Sequence, residues 1–411
     1  MITKTFFPKQ FVEFFDATTV HPAAKGFQLA DYDEVSQRVI FYPWGSIVSD
    51  PGSVFLAYHT DRDFLSSNSY DAVDLKALVS PDAQGFGCGF TGQRWAYFVP
   101  YRKNINTTIY QQPNDMAMRF NLDKDITDPT AYETIHLNQL PIKPPKIGWI
   151  TGCSAGGYSY YAPFGEATPT QPFWNKHGIF LRYNQSLPFD DPAAWEWYDL
   201  TQVDPGAQGF QTIIFKNPYV YLVPYDGGRN GANVLVRYDI TKSFIDKTSY
   251  QTIKLTDINP GAVGYTGAIV AGNDIVLVPW RDLGNPVQSD QGQHLVAKFD
   301  TRFNLTNYDG WSFFDLKSID QDACGYQFGW VDATNCVHLS PTFNFATGLP
   351  PPFMVWNSTK PFTSPTSWKS YPNDGDVCTG AGYDANHAWL SPYGRSGVAL
   401  SGKISKVTSY R

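Results

Sequence analysis

The segments that follow a recurring Pro-aromatic pair carry the residues best able to do chemistry. They read RKNINTTIYQQPND, GEATPTQPFWNKH, DGGRNGAN, RDLGNPVQSDQGQ and FNFATGLPPP. They supply Arg102, Glu166, Asp226, Arg229, Arg281 and Asp282. A guanidinium meets a carboxylate through two parallel hydrogen bonds, so the arginines suit an acidic ligand. A glycoside hydrolase needs two carboxylates about 5–10 Å apart, and Glu166 with Asp226 is the pair it would use. His177 and His294 open equivalent strands near the same segments and form the one acid–base pair the sequence offers. The same charges could equally make a solvated rim.

Other chemistry has less to stand on. His338 and His387 fall inside strands of different repeats and read as packed side chains, while His136, His59 and His21 are scattered. Asp123, Asp125 and Asp128 lack the glycine and terminal glutamate of a calcium loop. The run Asn373 to Asp376 reads as a turn. There is no nucleophile elbow, phosphate-binding glycine loop, HExxH or dinucleotide fingerprint. Cys88, Cys153, Cys324, Cys336 and Cys378 contain no CxxC pair, so small buried hydrophobes are expected rather than zinc ligands or a disulfide framework. No cofactor, metal or committed catalytic residue is expected.

The aromatics offer a binding surface instead. Trp44, Tyr101, Phe164, Tyr225, Trp280 and Tyr393 each follow a proline at the end of an apolar run, with Thr342 at the equivalent place in one repeat. Amphipathic Tyr and Trp are favoured at recognition surfaces. The expected ligand-binding set is therefore Trp44, Tyr101, Arg102, Tyr225, Trp280, Arg281 and Tyr393. The competing reading is that these rings only wedge neighbouring repeats together.

What must position them is an internal repeat. One phrase joins a Gly-aromatic pair to an apolar strand ending in Pro-aromatic: GFGCGFTGQRWAYFVPY, GFQTIIFKNPYVYLVPY and GYTGAIVAGNDIVLVPW are its clearest copies. A second phrase follows, as in VLVRYDITKSFIDKTSYQTIKL and IFLRYNQSLPFDDPAAWEWYDL. Each phrase reads as two strands and a turn, so a pair makes a four-stranded antiparallel unit. The anchors Gly26, Gly85, Gly148, Gly209, Gly264, Gly325 and Gly380 are spaced 55 to 63 residues apart and divide the chain into seven units. The last unit lacks its outer strand. FVEFFDATTV, residues 11–20, resembles the outer strand WSFFDLKSI and is expected to supply it. The polar residue after the third strand, Asn121, Asn184, Asp239, Asp300 or Asn357, recurs too regularly for a catalytic acid and reads as a turn cap. Two of these asparagines, Asn184 and Asn357, also open Asn-x-Ser/Thr sequons, and the four sequons start at Asn106, Asn184, Asn304 and Asn357.

A unit of this kind cannot bury both faces alone, and radial stacking solves that. The pattern resembles the β-propeller class, familiar from kelch, WD-type and repeat-lectin proteins. The WD dipeptide and kelch double glycine are absent in their usual form. The resemblance implies an all-β, seven-bladed propeller of four-stranded antiparallel blades, one domain over residues 1–411, with its variable segments gathered on one face.

Composition narrows the partners. Net charge is −7 with no basic block, so nucleic acid is not expected. No apolar run nears the ~20 residues of a membrane helix, and the start MITKTFFPKQFVEFF lacks a secretory pattern. Low charge (17%) with 16% aromatics favours a recognition or attachment module that binds a glycan or a protein through one loop face. A cytoplasmic or a virion-associated setting would suit it. A scaffold assembling through the disc faces and a glycan-active hydrolase or lyase are the alternatives.

Overall fold

The structure, a computed structural model, describes residues 9–45, 52–104, 111–141, 143–166, 175–225, 233–281, 292–344, 347–373, 377–393 and 400–410. Seven four-stranded antiparallel sheets form the blades. The strands are named A to D from the axis outward. Strands A and B are Phe27–Asp33 and Arg38–Pro43 in blade one, and Phe86–Gly92 and Trp95–Pro100 in blade two. They are Trp149–Ala155 and Tyr158–Pro163 in blade three, and Phe210–Lys216 and Tyr219–Pro224 in blade four. Blades five, six and seven open with Tyr265–Ala271, Tyr326–Val331 and Cys378–Tyr383. Strand A of each blade packs beside strand A of the next, and blade seven packs back on blade one, so the ring closes.

The repeat phrases fold this way for identifiable reasons. Strand B is covered by blades on both sides, and runs such as YVYLVP and DIVLVP are apolar almost throughout. Strand D is the outermost, and in Tyr250–Lys254 buried and exposed residues mix. All seven A strands carry a bulge after their first residue. A bulge bends the strand and increases its twist, which suits the crowded axis. Each B strand ends in proline, paired with the first residue of strand A, where the missing N–H breaks no ladder. Among the described residues, hydrophobic clusters fill every joint between blades; Ile40, Tyr42 and Phe55 meet Phe86, Phe98 and Phe120 at the first.

The N-terminal strand Lys9–Asp16 pairs antiparallel with Lys403–Tyr410, so it supplies strand D of blade seven as expected. Its Phe15 is buried and stacks on Tyr70 of blade one, with ring centres 4.0 Å apart.

Two expectations about the repeat are refined. Six anchor glycines have φ between +60° and +116°, a left-handed backbone that favours glycine, and they precede strand A. Gly380 differs: it lies inside strand A of blade seven. The carbonyl that accepts the strand-B N–H is Gly209 in blade four but Val377 in blade seven, through Tyr393. Val377 does this without positive φ, so no glycine is required. The recurrent Asx position is a turn cap in all five copies: Asn121, Asn184, Asp239, Asp300 and Asn357 each accept from the backbone N–H two residues on. Asp125 and Asp128 do the same for Thr127 and Thr130, and Asp123 pairs with Arg94.

Repeated side-chain stitching also emerges. Arg119 and Arg182 on the C strands bond Glu133 and Glu196 on strand D and lie 3.9 and 4.1 Å from the ring centres of Trp95 and Tyr158. Each also donates to a tyrosine of the next blade, Tyr183 and Tyr238. At the axis, Thr151 and Thr266 donate to strand-A carbonyls of the following blade, at Gln211 and Gln327.

Candidate functional site

The expected site residues stand where strand B ends. The backbone N–H of Trp44, Phe164, Tyr225 and Trp280 donates to the anchor carbonyl of its own blade, at Gly26, Gly148, Gly209 and Gly264. The B–C and D–A connections therefore share one face, and these aromatics stand on it beside the anchors of their blades. Trp44 and Tyr101 stack with centres 5.3 Å apart and planes 7° from parallel. Tyr101 meets Phe164 edge-on at 5.7 Å, and Phe164 meets Tyr225 at 5.4 Å. Tyr393 and Ile150 complete the cluster. Trp44, Tyr101, Phe164, Trp280 and Tyr393 are buried, and Tyr225 is half-buried. Trp280 and Arg281 come from blade five, where Arg281 bridges Gly292. In blade six Thr342 holds the equivalent place and is fully buried.

Arg102 enters this cluster. It follows Tyr101 on the short strand Arg102–Asn104, which pairs with Gln111–Pro113. Its guanidinium carbon sits 4.1 Å from the centre of the Trp44 ring. The side chain is 1% exposed, and burial lowers its pKa to about 10, leaving it a cation at neutral pH.

The residues expected for hydrolysis are engaged elsewhere. Glu166 accepts from Lys146 Nζ at 2.8 Å, the Ile147 N–H at 3.2 Å and Asn175 Nδ2 at 3.1 Å. It sits in a two-stranded hairpin, Gly165–Glu166 with Asn175–Lys176, and ties that hairpin to the segment before blade three. His177 is buried, donates from Nε2 to the Gly148 carbonyl and accepts the Ile179 N–H at Nδ1. Burial pushes its pKa down to about 4, so the ring is neutral with both nitrogens occupied. His294 belongs to blade five and pairs with Asp315 at 2.7 Å. The two histidines are held by different partners in different blades. Asp226, Arg229 and Asp282 lie outside the described residues, as do residues 374–376 of the Asn373 run.

Other polar groups lie away from these residues, and His338 is packed as its place in a strand implied. His338 is fully buried, bonds Asp332 at 2.7 Å and stacks on Trp330, a structural pair inside blade six. A groove of about 380 Å³ on the opposite face is lined by Arg38, His59, Arg94 and Lys124. Arg94 pairs there with Asp33 and Asp123, and His59 with Asp71, which marks a structural network. Asp31, on strand A of blade one, accepts from the Tyr42 hydroxyl at 3.0 Å. Burial raises its pKa to about 6, against hydrogen bonds from Tyr42 and the Thr91 backbone that act the other way.

Asp31 gives a pH signature. A carboxyl with a raised folded pKa contributes stability below its unfolded pKa near 4, and that contribution is lost as pH rises through about 6. Asp31→Asn keeps an acceptor for Tyr42 and removes the buried charge. Its stability at pH 7.5 is expected to exceed the parent's by on the order of 2 kcal/mol. The gain should vanish below pH 4. Thermal melts across pH 3.5–8 check this, and an asparagine variant less stable at every pH would contradict it.

No family model matches the sequence, and no curated protein matches it. The chain is a seven-bladed β-propeller, a class that solved structures share with it. The WD40 domain of Neurospora crassa Pan2 superposes with a TM-score of 0.52 at 7% identity, covering 97% of this chain and 94% of that one. The WD40 propeller domain of Doa1 gives 0.51 at 8% identity, over 94% and 95%. The extracellular domain of the two-component system BT4673 from B. thetaiotaomicron gives 0.57 at 9% identity, over 96% of this chain and 42% of that one. At these identities the likeness is one of fold. No helix among the described residues is long and apolar enough to cross a membrane, and no group of three or more His, Cys, Asp or Glu among them could hold a metal ion.

Proposed function

We propose that this propeller is a recognition module without catalytic chemistry, and that it binds a glycan through the face where the B strands end. The observation that supports it is the cluster of Trp44, Tyr101, Phe164, Tyr225 and Tyr393 around Arg102, set on a rigid ring. The C–H face of a sugar stacks on a ring such as Tyr225, which is half-buried while the other rings pack on one another, and an arginine selects among polar groups. Variable connections on a rigid scaffold are the usual place for binding. Glu166 and His177 are spent on holding the local backbone, which speaks against hydrolysis as the role of this face.

A glycan-array screen of the purified chain tests the reading. A restricted set of bound glycans is expected, with signal reduced at least tenfold in Tyr225→Ala and in Trp280→Phe while their melts stay cooperative. A blank array together with capture of a protein through the same face would replace the glycan by a protein ligand. Release of cleaved sugar from a bound glycan would restore the hydrolase.

A further inference from the structure

Arg102 is the charged side chain most at odds with its surroundings. Its Nε and Nη2 are buried and have no hydrogen-bond partner. Trp44 Nε1, in the same cluster, is also buried and unpartnered. All three are donors. Among the described residues, the groups that act electrostatically on the guanidinium are the phenols of Tyr101 and Tyr393, and no described carboxylate is among them. Stacking on Trp44 and Tyr101 compensates part of the lost hydration of the cation, but a buried charge with open donors is strongly unfavourable until an anion meets it.

The geometry names the anion. Nε–H and the neighbouring Nη2–H lie on one edge of the guanidinium plane, spaced to meet the two oxygens of a carboxylate. One unpaired cation matches one negative charge, so a monoanion fits better than a doubly charged phosphate. We infer that the Nε–Nη2 edge of Arg102, beside Trp44 Nε1, is the receptor for a ligand carboxylate, and that the ligand carrying it is an acidic sugar. The choice of sugar rests on the proposed recognition function; the carboxylate site stands on the orphaned donors alone.

The test uses the full chain at pH 7.5 in a buffer free of carboxylates and sulfate. Sodium acetate, glucuronate, glucose, N-acetylaspartate and sulfate are titrated by calorimetry and thermal melting into the parent, Arg102→Met and Arg102→Lys. Saturable binding of acetate and at least tenfold tighter binding of glucuronate are expected for the parent. Arg102→Met should abolish both and melt higher than the ligand-free parent, since it removes an uncompensated cation. Arg102→Lys keeps the charge but not the paired edge, and should weaken glucuronate binding at least tenfold. Four results would overturn the assignment: no carboxylate response in the parent, a response that survives in Arg102→Met, a sulfate response as strong as glucuronate's, or a lower ligand-free melt in Arg102→Met. Binding of N-acetylaspartate without glucuronate would overturn the sugar. Array hits confined to neutral glycans and unchanged in Arg102→Met would keep recognition and remove the carboxylate site; acetate binding with a blank array would do the reverse.

Discussion

Deleting residues 1–16 is expected to collapse the cooperative unfolding of the whole chain. The strand Lys9–Asp16 is paired along its full length with Lys403–Tyr410, and its loss leaves that strand as an open edge. Packing is lost at two joints. Val12 packs against the cluster of Trp330, Leu390 and Val407 between blades six and seven. Phe15 stacks on Tyr70 and joins Trp389 and Ile404 between blades seven and one. Burial of such side chains contributes about 1.5–3 kcal/mol each, before any ladder hydrogen bonds are counted. A deletion costing at least about 5 kcal/mol follows, seen as a broad, earlier melt and as aggregation. Phe15→Ala isolates the packing term and should cost ~3–5 kcal/mol. A peptide of residues 1–18 added to the truncated chain should restore the sharp transition. A truncated chain that melts like the parent would show that the ring is closed without this strand.

Trp195→Ala is expected to be nearly as damaging from a single side chain. In six blades the first residue of strand D is an aromatic that donates to a carbonyl six residues earlier. The pairs are Tyr70 to Phe64, Tyr132 to Ile126, Trp195 to Phe189, Tyr250 to Phe244, Trp311 to Leu305 and Trp368 to Phe362. The residue thus pins the long C–D connection to the blade. Trp195 is 7% exposed and lies 4.9 Å from Tyr183 and 5.2 Å from Phe189, ring centre to ring centre. Truncation to alanine should cost about 3–5 kcal/mol. Trp195→Phe keeps most of the packing and loses the N–H, leaving the Phe189 carbonyl unsatisfied, for about 1–2 kcal/mol. Denaturant melts separate the two, and equal losses would mean that packing contributes little there.

The blade count and the closing strand could be read from the residues because a repeat writes the same physical solution several times. Proline at the end of strand B, an Asx cap after strand C and a turn after strand A each recur, so one copy checks another. The seventh anchor escaped this check. GAGY looked like a Gly-aromatic pair, but its glycine lies inside strand A, and Val377 takes the anchor role without a left-handed backbone. The D-strand aromatics were visible in every copy as Tyr or Trp, yet their bonds to the C–D connection depend on how that connection folds back.

The site was legible only in its residue types. Arg102 stood beside a Pro-aromatic pair, which suggested a loop charge. Its burial against Trp44 of the preceding blade depends on how closely adjacent blades approach, and spacing along one chain does not encode that. Glu166 carried the right chemistry for an acid, but hairpin pairing puts Lys146 and Asn175 on its oxygens. His177 read as a strand opener and one half of an acid–base pair, and burial against Gly148 and Trp149 makes it a neutral structural ring.

Hydrogen exchange of the full chain, with and without the glycan bound most tightly on the array, tests the recognition face most directly. Added protection is expected at the ends of the B strands and the adjoining anchors, around Trp44, Tyr101, Phe164 and Tyr225, with the A–B turns at Gly156–Gly157 and Gly272 unchanged. Protection concentrated at those A–B turns, or along the outer D strands, would place binding elsewhere and contradict the proposed function.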